Sequence, residues 1–183
     1  MKDFLELCRA RYSLRSYADR PVEREKIERC LEAARLAPSA SNGQPSRFVI
    51  FDEPEQKQRL ADAVFTGVFA PSRRFATAPV LVALLARTRA VHGLLARTQG
   101  INYDVVDSGI AGEHFALAAA EQGLGTCWIG WYQPRGLIKL LNLRNTGMVP
   151  IALFALGYPP AGYAPPSKKR KDLKEIAGWN QLP

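Results

Sequence analysis

Two clusters of basic residues, one near each end of the chain, have the composition of an anion-binding site. The stretch RYSLR places Arg11, Ser13 and Arg15 at alternate positions, so an extended segment would point all three side chains one way. Two guanidinium groups and a hydroxyl on one side suit a phosphate, which arginine can bind through two parallel hydrogen bonds. Near the other end, Lys168 and Arg170 repeat the alternation. Each cluster taken alone fits a solvated basic strip better than a binding site.

A third polar stretch, APSASNGQPSRF at residues 37–48, follows a predicted amphipathic helix that ends before Pro38. It contains serines, an asparagine and a glutamine between two prolines. A change of chain direction does not require so many hydrogen-bonding groups. Their number indicates that they hold something besides their own turn.

Familiar catalytic and metal-binding motifs are missing from the sequence. It contains no GxGxxG, P-loop, HExxH or CxxC pattern. His92 and His114 are the only histidines, and neither belongs to a recognisable pairing with a nucleophile. Cys8, Cys30 and Cys127 lack the spacing of metal ligands. We therefore expect no metal site, and we expect a cofactor to supply the chemistry if the protein is an enzyme.

Length and composition predict one globular domain over residues 1–183. The chain has 183 residues, of which 47% are hydrophobic. Its apolar stretches fall short of the ~20 residues that a membrane helix needs, and its N-terminus is interrupted by charge, unlike a signal peptide. With three cysteines and no disulfide pattern, we expect a cytoplasmic protein with reduced thiols.

The net charge is +8 and the pI about 9.7, which leaves nucleic acid, an anionic membrane surface and phosphorylated small molecules as possible partners. The arginines are scattered, apart from the run SKKRK near the C-terminus, and no base-reading motif is present. We expect a small-molecule substrate, with no nucleic acid and no membrane as partners.

The order of predicted elements indicates an α+β fold, with a central, mostly antiparallel mixed sheet flanked by helices. Strands are predicted at RFVIF, PVLVALLA and MVPIALFALG and within GLGTCWIGWYQ, and a long helix of small residues is predicted at 104–123. Residues 87–103 have no clean period and are predicted to be a mobile flap or an irregular helix. The proline-rich tail at 157–183 carries aromatic residues that favour packing on a neighbouring protomer over solvation.

Four stretches together resemble the nitroreductase family of FMN-dependent oxidoreductases over nearly the whole chain. They are RYSLRSYADRPV, APSASNGQPSRF, DSGIAGEHFALAAAEQGLGTCWIGWY and the closing YPP…SKKRKDL. The resemblance implies the nitroreductase-like fold, an intertwined homodimer with an exchanged C-terminal tail, and two FMN sites at the interface.

The resemblance also implies which residues bind FMN. They are Arg11, Tyr12, Ser13, Arg15, Pro38, Ser39, Ala40, Asn42, Gln44, Arg73, Trp128, Ile129, Gly130, Lys168 and Arg170. Within this set, the basic residues near both termini would hold the phosphate and the pyrimidine side of the flavin. The residues at 38–42 would come from the other protomer. The backbone N–H of Gly130 would point at flavin N5, and Arg74 could replace Arg73 at the pyrimidine edge.

The implied activity is ping-pong hydride transfer from NAD(P)H, through flavin N5, to a nitroaromatic, quinone or similar acceptor. One alternative is a specialised flavoenzyme of the same fold, such as a dehalogenase, a dehydrogenase or a flavin-modifying enzyme. Another is a non-catalytic protein that binds FMN or nucleic acid. Two departures from the family pattern, Ser46 where many members have tryptophan and Trp131 where a small residue is common, would reshape the pocket.

Overall fold

A computed structural model describes residues 3–89, 98 and 100–183. Its helices are α1 (Phe4–Ala10), α2 (Arg24–Arg35), α3 (Pro54–Val64), α4 (Tyr103–Glu121) and α5 (Pro134–Leu140). Its strands are β1 (Ser46–Phe51), β2 (Val80–Arg87), β3 (Gly125–Ile129) and β4 (Met148–Gly157). Short 3₁₀ segments lie at Ala40–Asn42, Gly67–Thr77 and Leu173–Glu175. The predicted flap falls largely at residues 90–97 and 99, which lie outside the described residues.

The strands form one sheet in the order β1-β2-β4-β3, and each of the three neighbouring pairs is antiparallel. The α+β prediction is confirmed, with helices flanking this sheet. Among the described residues, the parallel pairing in this sheet is one isolated bridge between Ser13 and Thr126. That bridge lies on the outer edge of β3.

Side chains of β2 alternate between two hydrophobic cores because successive residues of a strand point to opposite faces. Leu81, Ala83 and Leu85 pack on one face, against α3, α5 and the 67–77 segment. Val82 and Leu84 pack on the other face, against α2 and α4. The strand is buried on both faces, which explains its continuous apolar sequence.

Helix α4 is built largely from small residues, and these let neighbouring groups approach it closely. A Cβ added at Gly112 would lie 2.4 Å from the ring of Trp128, so this glycine makes room for the tryptophan. The indole of Trp128 also packs on Phe154, with ring centroids 4.4 Å apart. The helix thereby presses directly on β3.

The first residues of the C-terminal tail (157–183) pack on their own chain. Tyr158 accepts a hydrogen bond from Lys26, donates one to Glu23 and has the Arg20 guanidinium 4.0 Å above its ring. Tyr163 also packs on its own chain, by stacking on Tyr12, whereas Trp179 is 94% exposed. Residues 169–183 of the tail are all exposed on this chain. No helix within the described ranges is long and apolar enough to cross a membrane.

Candidate functional site

The basic stretch near the N-terminus runs along the outer edge of β3. The backbone N–H of Leu14 donates to the carbonyl oxygen of Thr126 at 2.9 Å, and the Leu14 side chain is fully buried. A Cβ at Gly125 would lie 2.4 Å from Leu14, so that glycine allows the close approach. With Leu14 turned inward, the alternation leaves Arg11, Ser13 and Arg15 off the core side of the segment.

A cleft of about 270 Å³ opens at the end of β3, and we call it the β3 cleft. Gly130 lies in it, and a Cβ added there would meet no atom within 4 Å, so a flat ligand can come close to this backbone. Positive charge reaches the cleft from Arg15 and Arg74. The complete lining is Arg15, Pro71, Ser72, Arg74, Phe75, Cys127, Trp128, Ile129, Gly130 and Trp131.

Arg73 and Arg74 have different surroundings. The Arg73 guanidinium donates to Asp62 at 2.6 Å, in an ion pair that is about half exposed. Arg74 lines the β3 cleft. Within one chain Arg74 therefore lines the cleft and Arg73 does not, because α3 supplies a carboxylate that engages Arg73.

The two tryptophans around Gly130 differ in burial. Trp128 is partly buried between α4 and Phe154 and also lines the cleft. The Trp131 side chain is 59% exposed, although its indole N–H donates to the Val68 carbonyl oxygen at 3.0 Å and its ring packs on Phe69. Trp131 is thus a fixed, exposed aromatic surface at the cleft mouth.

A second cleft, of about 560 Å³, lies between α1 and the tail, and we call it the tail cleft. Tyr12, Lys168 and Arg170 line it, and Tyr12 stacks on Tyr163 with ring centroids 5.6 Å apart. The ammonium of Lys168 donates to the carbonyl oxygens of Cys8 and Arg9 at 2.9 and 2.6 Å, at the end of α1. Lysine at a helix C-terminus satisfies carbonyl groups that the helix leaves open.

Charge around these clefts is predominantly positive. Desolvation lowers the pKa of Lys168, and the nearby Arg11 and Arg170 lower it further. Burial raises the pKa of the Cys127 thiol on β3, and Arg15, Arg74 and Arg11 each counteract that rise. Arg11 pairs with Glu113, with Nε to Oε1 at 3.1 Å. An anion placed here would meet several cations of one chain.

The 38–44 loop, residues Pro38 to Gln44, lies apart from both basic clefts. Pro38, Ser39 and Gln44 line a cavity of about 280 Å³ together with Asp107 and residues of α2 and β1. Neither of the two basic clefts includes any residue of the loop. Within one chain, the predicted site residues therefore fall into two separate groups.

Two aspartates hold this loop, and sequence reasoning missed both. Asp107 accepts a hydrogen bond from the backbone N–H of Ala40 at 3.0 Å, and Asp104 pairs with Arg89, which donates to the Ala40 carbonyl oxygen at 3.1 Å. Asp104 is fully buried and Asp107 is 5% exposed. The available signal was two carboxylates three residues apart in the first turns of a helix that is mostly small and apolar, a spacing that places both on one face.

Comparison with known proteins gives a consistent picture. The family model described as "Nitroreductase family" matches residues 8–158. An Archaeoglobus fulgidus protein assigned as an NADH dehydrogenase or NAD(P)H nitroreductase is 32% identical over 165 residues, covering 87% of each chain. An FMN reductase [NAD(P)H] of Bacillus subtilis is 31% identical, over 80% of this chain and 62% of its own length. The crystal structure of a nitroreductase family protein from Clostridium difficile 630 superposes with a TM-score of 0.80 at 29% identity, over 99% of this chain and 100% of that one.

Proposed function

The chain belongs to the nitroreductase family, and on that basis we propose that it is an FMN-dependent oxidoreductase that works by a ping-pong cycle. NAD(P)H is the hydride donor, and a nitroaromatic, a quinone or a similar compound is the acceptor. Relatives that are named NAD(P)H nitroreductase or FMN reductase support both the assignment as a flavin oxidoreductase and FMN as its cofactor.

The residues present fit FMN. The cofactor combines a phosphate, which needs cations, with a flat polar ring, which needs an open surface with hydrogen-bond donors. Arg11 lies near Lys168, and Arg11, Arg15 and Arg74 all lie near Cys127 on β3. Arg15 and the open backbone of Gly130 line the same cleft. The arginines gathered near β3, beside an unobstructed glycine, are the observation that carries the proposal.

Each end of this basic region has a distinct role in the proposal. Arg11, Ser13, Lys168 and Arg170 would hold the phosphate, through charge-assisted hydrogen bonds that are stronger than neutral ones. Tyr12 would help to shape the same end, because its stacking on Tyr163 fixes a wall of the tail cleft. Binding would therefore depend on residues from both ends of the chain.

At the other end, Gly130, Trp128 and Ile129 would lie along the ring. When bound there, FMN would supply the redox chemistry, a two-electron hydride exchange between NAD(P)H and the acceptor. The Gly130 backbone N–H would orient the ring, and Arg15 and Arg74 would stabilise negative charge that develops on it.

We assign the 38–44 loop to the cofactor site of a second copy in a homodimer. Pro38, Ser39, Ala40, Asn42 and Gln44 lie apart from the basic clefts of their own chain, which supports a role toward a neighbour. The tail gives a second reason. Leu173, Ile176, Trp179 and Leu182 are 63–94% exposed, and packing on a partner would remove this apolar surface from water.

The purified protein tests this proposal directly. We expect a yellow dimer whose visible spectrum shows bound FMN, which NADH or NADPH bleaches under anaerobic conditions and which an added quinone restores. A monomer by light scattering would remove the two-chain site. A colourless protein that also fails to bind added FMN would refute the assigned cofactor and the reaction with it.

A further inference from the structure

The 38–44 loop has a backbone conformation that most of its residues do not favour. Ser41, Asn42 and Gln44 have positive φ angles of 52°, 50° and 46°. Left-handed backbone is unfavourable for residues that carry a side chain, although asparagine tolerates it better than most. Such a conformation persists only where the surroundings hold it in place, and it is common at functional sites.

Bonds inside the loop close it without attaching it to the rest of the fold. The Gln44 backbone N–H donates to Ser39 Oγ at 2.9 Å, and the Gln44 side-chain amide donates to Asn42 Oδ1 at 3.0 Å. These contacts give the loop its shape. Its placement relative to helix α4 must come from other groups.

Ala40 provides that attachment through both of its backbone polar groups. Its N–H donates to Asp107, and its carbonyl oxygen accepts from the guanidinium of Arg89. Arg89 is in turn held twice by Asp104, through its backbone N–H at 2.8 Å and its Nε at 3.1 Å. Because Asp104 is fully buried, this pairing is only weakly screened by water.

A steric contact points to the same guanidinium. A Cβ built on Gly43 would lie 2.1 Å from Cζ of Arg89, closer than any real contact. The Arg89 guanidinium therefore lies directly against the Gly43 backbone and packs on the loop there. Only glycine leaves that space for it.

We propose that Asp104 is a positioning residue for the cofactor site, acting through Arg89 on the 38–44 loop, an inference that rests on the proposed function. Asp104 does not contact the cofactor. Its carboxylate fixes the Arg89 guanidinium, which holds the Ala40 carbonyl oxygen and supports Gly43. A neutral side chain at 104 weakens this hold on the guanidinium, and the loop then relaxes from the conformation that it presents to the flavin site of the partner.

Asp104→Asn tests this, because it keeps the size of the side chain and removes its charge. The matched control is Glu121→Gln, which removes a carboxylate from the same helix, where it pairs with Arg29 at 2.9 Å, far along the chain from Asp104. Stripped protein is titrated with FMN, and the Kd is taken per folded molecule, with thermal unfolding of the flavin-free protein measured alongside. We expect Asp104→Asn to raise the Kd by about tenfold, the cost of one charge-assisted contact, and Glu121→Gln to leave it within about twofold.

Gly43→Ala is a second, independent variant, because it keeps the ion pair and displaces the guanidinium sterically. We expect a similar rise in Kd. The double variant should bind FMN about as weakly as the weaker single variant, since both act through Arg89. If Asp104→Asn does not fold, Gly43→Ala alone decides.

The outcomes separate this inference from the proposed function. Wild-type protein that binds no FMN refutes both. Wild-type protein that binds FMN, with folded Asp104→Asn or Gly43→Ala binding it equally well, refutes the positioning role and leaves the cofactor assignment intact. Fully additive losses in the double variant contradict the shared route through Arg89.

Discussion

The basic clefts and the 38–44 loop differ in how far the chain itself provides partners for their polar groups. In the clefts, Arg15, Arg74, Lys168 and Arg170 bring positive charge together, and Glu113 is the counterion of Arg11. In the loop, backbone and side-chain groups are already bonded within the chain. The first region is electrostatically incomplete without an anion, whereas the second is organised in advance. A ligand should therefore stabilise the clefts strongly and the loop little.

Removing Lys168 from the tail cleft together with the neighbouring Arg11 should have the largest effect. For Arg11→Ala combined with Lys168→Ala we expect FMN affinity to fall by about 100-fold or more, because each charge-assisted contact contributes roughly 1.5–3 kcal/mol. Isothermal titration of the flavin-free protein measures it. Arg24→Ala with Lys169→Ala changes the net charge equally at exposed positions and should have little effect. Equal losses in both double variants would mean that only overall charge matters.

Arg73 and Arg74 offer a sharper version of the same test. We expect Arg74→Ala to weaken FMN binding about tenfold, since its guanidinium lines the β3 cleft. Arg73→Ala should change it less than about twofold, because it loses an exposed ion pair with Asp62. FMN titrations of the two variants decide. The reverse order would return the cationic role to Arg73.

The pH dependence of binding should come from the clefts. The pKa of Lys168 is lowered by desolvation and by Arg11 and Arg170, so its ammonium loses its proton at a lower pH than that of an ordinary lysine. FMN affinity should therefore be greatest at neutral pH and fall severalfold as the solution becomes alkaline. Lys168→Arg should flatten this decline, because arginine stays protonated. A wild-type profile that the substitution leaves unchanged would place the titrating group elsewhere.

The smallest effect is expected in the loop, and on stability. Ser41 has a φ of 52°, so Ser41→Gly should raise the free energy of unfolding of the flavin-free protein by about 0.5–1 kcal/mol. Ser39→Gly is the matched control. Its φ of −147° needs no glycine, and it loses the oxygen that accepts from the Gln44 N–H, so we expect destabilisation. Chemical denaturation of both variants measures the difference. Destabilisation by Ser41→Gly would show that the loop is not strained.

The sheet could be predicted from sequence because its strands are apolar runs bounded by turn residues. Residues 67–77 were not predicted as a 3₁₀ helix, since Pro71 and the lack of a 3.6-residue period hide short helices of that kind. The sheet's edges were also unpredictable, because pairing across long sequence separations leaves no local pattern. The bridge from Ser13 to Thr126 is an example.

The candidate site divides in the same way. Arg11, Ser13 and Arg15 could be predicted to share a side because alternation in an extended segment is a local rule. Asp104 and Asp107 could not be assigned to the 38–44 loop, since nothing in the sequence of α4 tells which face the loop covers. The different surroundings of Arg73 and Arg74 depended on Asp62, a residue of another helix. Contacts between distant elements decided what periodicity left open.

The segment that runs beside β3 has a second consequence, which concerns solubility. An uncovered sheet edge presents free backbone groups that can pair with strands of other molecules. Residues 13 and 14 cover part of the β3 edge, through the bridge and the bond from Leu14 to Thr126. The stretch that we propose binds phosphate thus also protects the edge of the sheet, so removing the N-terminus through residue 14 should promote aggregation even when no cofactor is added.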